Sequence, residues 1–272
     1  MRKVALILAA AGLAVLGTSC TQLKARNQIN QGVAAFKSAQ YPEAVEHFKT
    51  AVELDPGFVT ARLYLATAYM QQYVPGSEMP ENMKMAQEAH NQFEKVLEQK
   101  PNDKTALASV ASLYLNEKKW DDAEAAYKKY IAAYPDDSGG YYSIGFIVWS
   151  KWYVPYEKAR AEAGMKPEDP GPIKDKKIRL ELRDQYLPLI DEGLKNLDKA
   201  LQIDPEYDDA MAYENLLVRE RADLADSKAE YEAQVRVADH WVDKAMETKK
   251  IKVERKEKQG GGGITLDTGA SK

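Results

Sequence analysis

Apolar and polar residues alternate along most of the chain with the period of an amphipathic helix, and prolines interrupt this pattern repeatedly. Before each of four prolines, a small residue is followed four positions later by a large apolar one, so both lie on one helix face. These sets are Ala44 and Phe48 before Pro56, Ala89 and Phe93 before Pro101, Ala123 and Tyr127 before Pro135, and Gly193 and Leu197 before Pro205. Because proline cannot continue a helical hydrogen-bond ladder, the pattern predicts an all-α chain of paired helices, each pair closed by a proline.

The prolines also define the spacing of the helix pairs. Pro101 and Pro135 are 34 residues apart, whereas the two flanking steps are 45 and 70 residues long. The additional residues predict two inserted segments, one near 73–80 and a longer one near 153–187.

A helix pair that repeats every 34 residues, with small residues where the helices cross, resembles the tetratricopeptide repeat. The pair that ends at Pro135 matches the family at eight positions: Leu107, Ala111, Tyr114, Trp120, Ala123, Tyr127, Ile131 and Pro135. The resemblance extends over about 25–250. It implies an all-α tetratricopeptide-repeat α-solenoid at 25–258, with about five helix pairs, two inserted segments and a long C-terminal capping helix.

Both insertions begin with the same tripeptide, Tyr-Val-Pro, at 73–75 and 153–155. Proline disfavours helical geometry in the residue before it, so we expect each tripeptide to end the first helix of its pair. The two inserted loops would then leave the solenoid from equivalent corners. Within the second insertion, the turn-rich stretch 166–172 predicts a loop, and a charged helix is expected at 174–186.

The N-terminus has the three-part composition of an export signal. Two basic residues precede an apolar run of about a dozen residues, and small residues then precede Cys20. We expect a signal peptide at 1–19, and Cys20, the single cysteine of the chain, resembles the acylated cysteine of bacterial lipoproteins. Residues 20–24 would then tether the solenoid to a membrane. The alternative that stays open is cleavage by the general signal peptidase, which would release a soluble periplasmic protein.

The C-terminus combines a long helix with a glycine-rich tail. A last helix is predicted at about 227–258. The basic stretch 249–258 is interpreted as a solvated face of that helix, and the alternative is a contact with an anionic headgroup or an acidic partner. Consecutive glycines at 260–263 break the helical pattern, so 259–272 is expected to be a disordered tail.

Residue types that carry catalysis or metal binding do not cluster in the sequence. His47, His90 and His240 fall on different predicted helices without the spacing of metal ligands, and we interpret them as surface histidines. A phosphate-binding glycine loop and a nucleophile motif are both missing from the sequence, so no catalytic residue, metal or cofactor is predicted. The formal net charge of −4 argues against nucleic acid as a partner. The sequence therefore favours a protein that is not an enzyme.

The resemblance to tetratricopeptide repeats implies a concave groove lined by the first helices of the pairs, where members of this family commonly bind peptides. The groove residues that it implies are Lys37, Thr67, Gln71, Asn116, Tyr142, Phe146, Trp149 and Arg219. Ile29 and Val33 occupy positions where the family's carboxylate-clamp pattern has lysine and asparagine, which disfavours chaperone-tail binding of that kind.

Aromatic residues are densest at 141–156, and two interpretations of this cluster stay open. The rings form an anchor pocket for a partner segment, or they pack the second insertion onto the solenoid. By analogy with exported tetratricopeptide proteins, we hypothesise a scaffold of the bacterial cell envelope that binds protein or peptide segments of an envelope complex. The membrane would be a further partner, through a lipid anchor at Cys20. The alternative is a soluble periplasmic module that binds a small ligand or a glycan on the aromatic cluster.

Overall fold

The computed structural model describes residues 21–260, and these residues form helices joined by turns and loops, without a β-strand. The predicted all-α class is confirmed. The predicted signal peptide at 1–19, the lipidation site at Cys20 and most of the predicted tail at 259–272 lie outside the described residues. Within the described range, no helix has the length and apolarity needed to cross a bilayer.

The chain divides into two compact units, one up to Tyr134 and one from Pro135 onward, and each is described by itself. The described part of the N-terminal unit contains six helices, in which successive helices from the second to the sixth pack against each other. Their bounds are 21–37 (α1), Tyr41–Leu54 (α2), Val59–Met70 (α3), Pro80–Gln99 (α4), Lys104–Asn116 (α5) and Trp120–Ala133 (α6).

The first two helices cross where one of them has no side chain. A Cβ atom on Gly32 of α1 would lie 2.5 Å from Cε1 of Phe48 on α2, so the ring packs directly on the α1 backbone. Phe48 also stacks on Tyr64 of α3, with 5.4 Å between the ring centroids. A small residue on one helix therefore allows a large residue of the next helix to approach the backbone closely.

The first insertion forms a loop after α3, as the sequence predicts. α3 ends at Met70, and Val74 in the loop is held by Asn82 of α4. The Val74 N–H donates to Asn82 Oδ1 at 2.7 Å, and the Val74 carbonyl accepts from Asn82 Nδ2 at 2.9 Å. Pro80 lies in the first turn of α4, where its missing N–H removes no helical hydrogen bond.

The described part of the C-terminal unit contains four helices, whose bounds are Ser138–Glu162 (α7), Lys176–Ile203 (α8), Asp208–Ala222 (α9) and Lys228–Gly260 (α10). Small residues again mark the crossings. A Cβ atom on Gly193 of α8 would lie 2.6 Å from Cγ1 of Val148 on α7, and Gly145 of α7 meets Leu197 of α8 in the same way. Both glycines therefore allow α7 and α8 to pack closely along their length.

The last helix, α10, packs along α9 and ends at Gly260, two residues beyond the predicted boundary at 258. Ala238 of α10 is fully buried at this contact. Part of the basic stretch is bonded to the unit: Lys252 Nζ donates to Asp208 Oδ1 at 2.5 Å. Lys252 is therefore bonded within the unit while its side chain stays 39% exposed.

The second insertion is built differently from the prediction. α7 continues past Pro155 and α8 is unbroken over its whole length, so the insertion consists of extra turns on both helices, joined by the segment 163–175. The predicted helix end at 153–155 is therefore wrong, and the charged helix expected at 174–186 is the first part of α8. The two insertions accordingly do not leave from equivalent corners.

Burial of the flanking residues explains why α7 tolerates Pro155. Trp152 is fully buried, and Tyr156 and Ala159 are buried on the same side of the helix. An interior proline costs a helix about 3 kcal/mol, while burying one large apolar side chain contributes about 1.5–3 kcal/mol. Continuing the helix keeps these three residues in the core, and their burial outweighs the lost backbone hydrogen bond.

Candidate functional site

Six aromatic side chains of the C-terminal unit gather on one surface. α7 contributes four of them at positions three or four residues apart, which lie on one stripe of a helix. The other two come from the turn before α9 and from α9 itself. We name these six residues the aromatic face: Tyr142, Phe146, Trp149, Tyr153, Tyr207 and Tyr213.

Tyr213 of α9 lies at the centre of the aromatic face. Its ring centroid is 5.7 Å from that of Tyr142 and 5.2 Å from that of Phe146, both in edge-to-face geometry. The Trp149 ring lies 5.4 Å from the Tyr213 ring, again edge-on. Edge-to-face pairs contribute about 0.5–1.5 kcal/mol each beyond burial, so the rings hold one another in fixed positions.

The aromatic face extends outward from this centre in two directions. Tyr142 contacts Tyr207 at 4.9 Å between centroids, and Trp149 contacts Tyr153 at 5.0 Å with an angle of 31° between the ring planes. Tyr153 is 40% exposed, and the other five residues are half-buried. The rings therefore pack against the unit on one side and are open to solvent on the other.

A buried carboxyl group lies behind the aromatic face. Trp149 Nε1 donates a hydrogen bond of 3.0 Å to Oε1 of Glu220 on α9, and Glu220 is only 7% exposed. Burial raises the pKa of Glu220 to about 7, because the loss of hydration outweighs the hydrogen bond from the indole. Glu220 therefore fixes the orientation of the Trp149 ring and titrates near neutral pH.

A second buried carboxyl group lies on the core side of α9. Glu214 shares a helix face with the buried Ala210 and Leu217, and its Oε2 has no hydrogen-bond partner within the described residues. Burial and the nearby charge of Asp198 raise its pKa to about 8, although the charge of Arg221 acts in the opposite direction. Our sequence reasoning missed Glu214, although a glutamate on an otherwise apolar stripe was a visible indication.

A buried ion pair holds the inserted segment in place. Asp223, which is 2% exposed, pairs with Arg160 of α7 and accepts a hydrogen bond from the Tyr156 hydroxyl at 2.9 Å. Arg160 Nη2 also donates to the backbone carbonyls of Lys166 at 2.8 Å and Asp169 at 2.7 Å. We name Tyr156, Arg160 and Asp223 the buried clamp, because they fasten the segment 163–175.

The backbone of the inserted segment reinforces the buried clamp. The Ile173 N–H donates to the Asp223 carbonyl at 2.9 Å, and Arg179 Nη1 donates to the Ile173 carbonyl at 2.7 Å. A Cβ atom on Gly171 would collide with the Asp223 carboxylate, so the segment passes this group at a position without a side chain. The segment is therefore fixed to α8 and to the residue that follows α9.

The aromatic run at 141–156 consequently divides into two groups with different positions. Trp152 and Tyr156 point into the core, where Trp152 also contacts Tyr186 of α8 at 5.4 Å between centroids. The interpretation that aromatic residues pack the second insertion onto the solenoid therefore applies to Trp152 and Tyr156. Three of the eight predicted groove residues, Tyr142, Phe146 and Trp149, are brought together in the aromatic face.

Arg219, another predicted groove residue, turns away from the aromatic face. Its Nη2 atom donates to Asp239 of α10 at 2.6 Å and to Asn215 at 3.3 Å. The contact with Asp239 holds α9 against α10, whereas Asn215 lies on α9 itself, so the Arg219 side chain is engaged within the unit.

The remaining predicted groove residues belong to the N-terminal unit. Lys37, Gln71 and Asn116 lie at the C-terminal ends of α1, α3 and α5. Thr67 lies one turn before the end of α3, and its hydroxyl donates to the Leu63 carbonyl at 2.8 Å. A binding role for these four residues stays a prediction.

His90 is buried, and its interpretation as a surface histidine is wrong. His90 Nε2 lies 3.1 Å from Oε2 of Glu117, and the imidazole ring is 4.4 Å from the ring of Tyr114. The sequence hides this contact because Glu117 follows the next helix, 27 residues further on. Among the described residues, no group of three or more His, Cys, Asp and Glu side chains is arranged to hold a metal ion.

A cleft of about 370 Å³ in the C-terminal unit offers less for recognition than the aromatic face. It is lined by apolar and charged residues of α8, α9, the turn after α9 and α10, and four of the charged residues form two ion pairs. Arg183 contacts Asp226 at 2.7 Å, and Arg221 contacts Asp191 at 3.1 Å. Both arginines of the cleft are therefore already paired with carboxylates of its own lining.

Comparisons with known proteins agree with the architecture described above. Two segments, 25–58 and 83–143, match family models described as tetratricopeptide repeat. No curated protein matches the chain.

Solved structures with a similar fold include those of MamA and YrrB. The MamA protein is from Desulfovibrio magneticus RS-1, solved from position 41 to its end. It is 17% identical to this chain with a TM-score of 0.56, and the match covers 84% of this chain and 96% of that one. YrrB, described as a TPR protein with an unusual peptide-binding site, has 14% identity and a TM-score of 0.52, covering 81% of this chain and 84% of that one. At these identities the likeness concerns the fold alone. The chain therefore carries tetratricopeptide repeats and has the all-helical fold of a tetratricopeptide-repeat solenoid.

Proposed function

We propose that this protein is a non-enzymatic scaffold of the bacterial cell envelope, which binds protein segments of an envelope complex on the aromatic face. The aromatic face is the observation that carries the proposal. Tyrosine and tryptophan are enriched among the residues that dominate binding energy at protein interfaces, and here five of the six rings are of these two types.

Rigidity supports the use of the aromatic face in binding. The ring of Trp149 is fixed by its hydrogen bond to Glu220 and by the edge of Tyr213, so little side-chain freedom is left to lose when a partner binds. The tetratricopeptide repeats also support the proposal, and YrrB, which shares the fold, is described as having a peptide-binding site. In this proposal the protein needs no cofactor or metal.

The envelope location rests on the N-terminal sequence. A basic start, an apolar run and small residues before Cys20 favour export, with Cys20 as the site of lipid attachment. Stable anchoring by lipids requires more than one acyl chain, which lipoprotein-type modification would supply.

Replacing Cys20 with serine is expected to move most of the protein from the membrane fraction to the soluble periplasmic fraction, because serine cannot carry the lipid anchor. Cell fractionation followed by immunoblotting measures this distribution. Ser19→Ala, which keeps a small residue before the cleavage position, is the control and should leave the protein in the membrane fraction. Identical fractionation of the parent and Cys20→Ser would contradict the anchor and favour release by the general signal peptidase.

A photo-crosslinking amino acid at Tyr153 is expected to capture a partner protein in intact cells, because this is the most exposed residue of the aromatic face. Mass spectrometry of the crosslinked band identifies the partner. Adding Tyr213→Ala to the same protein should reduce the yield severalfold, because it removes the central ring. The same amino acid at Met83 of α4, which is also exposed, is the control position. Equal capture at both positions, or none at Tyr153, would count against the proposal.

The second candidate function is binding of a small ligand or a glycan in the periplasm. The observation that favours it is the pair formed by Trp149 and Tyr153, whose ring centroids lie 5.0 Å apart at the most exposed part of the aromatic face. The crosslinking experiment separates the two candidates, because a small ligand produces no crosslinked protein band that depends on Tyr213.

A further inference from the structure

Carboxylate groups flank the aromatic face at both ends. Glu157 follows Tyr153 by one helical turn on the same stripe of α7, and Asp209 precedes Tyr213 by one turn on α9. Neither carboxylate makes a hydrogen bond or an ion pair with another side chain in the described part of the chain. Asp209 acts electrostatically on Tyr213, and Glu157 acts on Glu220, which places both charges near the rings.

No basic side chain of the same helices forms an ion pair with either carboxylate in the described part of the chain, although Arg160 interacts electrostatically with Glu157. α7 contains Arg160, which is inside the buried clamp, and two lysines, of which Lys158 pairs with Glu162 at 3.7 Å. α9 contains two arginines, Arg219 and Arg221. Arg219 pairs with Asp239 at 2.6 Å, and Arg221 pairs with Asp191 at 3.1 Å. All three arginines and Lys158 therefore already have acidic partners of their own.

The rings themselves favour a cation. The face of an aromatic ring attracts ammonium and guanidinium groups, and tryptophan does so most strongly. Glu220 accepts the indole N–H of Trp149, and this polarises the ring so that its face becomes more negative. A neutral or acidic segment would gain nothing from this polarisation, and it would remove water from Glu157 and Asp209 without supplying partners.

We propose that the segment bound on the aromatic face is basic, with arginine or lysine side chains that lie across the rings and reach Glu157 and Asp209. This inference rests on the proposed function of the aromatic face and adds the chemistry of the partner. The rings hold the aliphatic stem of each basic side chain, and the two carboxylates bind its charged end.

The test uses the full chain and two synthetic peptides, one in which arginine and alanine alternate and one with citrulline in place of each arginine. Citrulline keeps the shape of arginine and removes its charge. Isothermal titration calorimetry is expected to show about tenfold tighter binding of the arginine peptide. Glu157→Gln and Asp209→Asn should each weaken binding of the arginine peptide severalfold and leave the citrulline peptide unchanged, whereas Trp149→Ala should weaken both.

Glu98→Gln is the matched control, because Glu98 is an exposed glutamate of α4 in the N-terminal unit. Equal affinities for the two peptides, no binding of either, or an equal loss in Glu98→Gln and Glu157→Gln would overturn the inference. Spermidine that binds with the same dependence on Trp149 and Glu157, and as tightly as the peptide, would also overturn it in favour of a small polycation. A crosslink at Tyr153 combined with any of these results leaves the scaffold function standing, whereas the absence of that crosslink contradicts the scaffold function itself.

Discussion

Replacing Asp223 with alanine is expected to lower the free energy of unfolding of the C-terminal unit by about 3–5 kcal/mol. Asp223 is 2% exposed and its partner Arg160 is 4% exposed, so the substitution leaves a buried guanidinium charge without a counter-ion. It also removes the acceptor of the Tyr156 hydroxyl. Urea unfolding followed by tryptophan fluorescence measures the loss, because Trp149, Trp152 and Trp241 all lie in this unit.

The matched control for this substitution is Asp226→Ala, three residues further along the chain. Asp226 also pairs with an arginine, Arg183, at 2.7 Å, but its side chain is 60% exposed. Exposed ion pairs contribute about 0–1 kcal/mol, so the control should unfold almost as the parent does. Asp223→Ala should also make the segment 163–175 sensitive to limited proteolysis, because Arg160 then no longer holds it. Equal stability of Asp223→Ala and Asp226→Ala would contradict the role of the buried clamp.

The helices could be predicted from the sequence because their determinants are local. The proline spacing and the alternation of small and large residues predicted where the helices cross. At two of these crossings, Phe48 packs on Gly32 and Val148 packs on Gly193, so a small residue on one helix admits a large residue of its neighbour. The first insertion could be predicted for the same reason, because α3 ends before the Tyr-Val-Pro tripeptide at 73–75. Such features depend on the residues of one or two helices only.

The second insertion could not be predicted because its determinants are distant in the sequence. The same Tyr-Val-Pro tripeptide lies inside α7, where the burial of Trp152 and Tyr156 outweighs the preference of the proline for a helix end. Asp223 is separated from Arg160 by 63 positions, so the buried clamp has no local pattern. The sequence located the aromatic cluster correctly, but only the structure separates the rings that pack the core from those of the aromatic face.

The free energy of unfolding of the C-terminal unit is also expected to depend on pH. It should fall as the pH rises, whereas a protein stabilised by ionised carboxylates loses stability as the pH is lowered. Burial raises the pKa of Glu214 to about 8 and that of Glu220 to about 7, from an ordinary value of 4.5. In the unfolded chain both groups release their protons near the ordinary value, whereas in the folded chain they retain them to higher pH. The stabilisation is therefore fully present below about pH 4.5 and is lost as the pH rises toward 7 and 8.

The size of the effect follows from the pKa shifts. Each pKa unit corresponds to about 1.4 kcal/mol, so Glu220 alone accounts for roughly 3 kcal/mol of lost stability between pH 5 and pH 8. Ion pairs such as that between Asp208 and Lys252 oppose this trend only at lower pH, because the pKa of Asp208 lies below its ordinary value. The free energy of unfolding, measured by urea titration at intervals across this range, should therefore fall as the pH rises.

Glutamine at either position removes the ionisation and keeps the shape, so Glu214→Gln and Glu220→Gln should each flatten the pH dependence and raise stability at pH 8. Glu220→Gln keeps an amide oxygen that can accept the hydrogen bond of Trp149, and its peptide affinity at the aromatic face should change far less than that of Trp149→Ala. Glu247→Gln, at an exposed position of α10, is the control and should retain the pH dependence of the parent. A free energy of unfolding that is constant or rises between pH 5 and pH 8 would show that both carboxyl groups are ionised in the folded chain and that water or a cation reaches them.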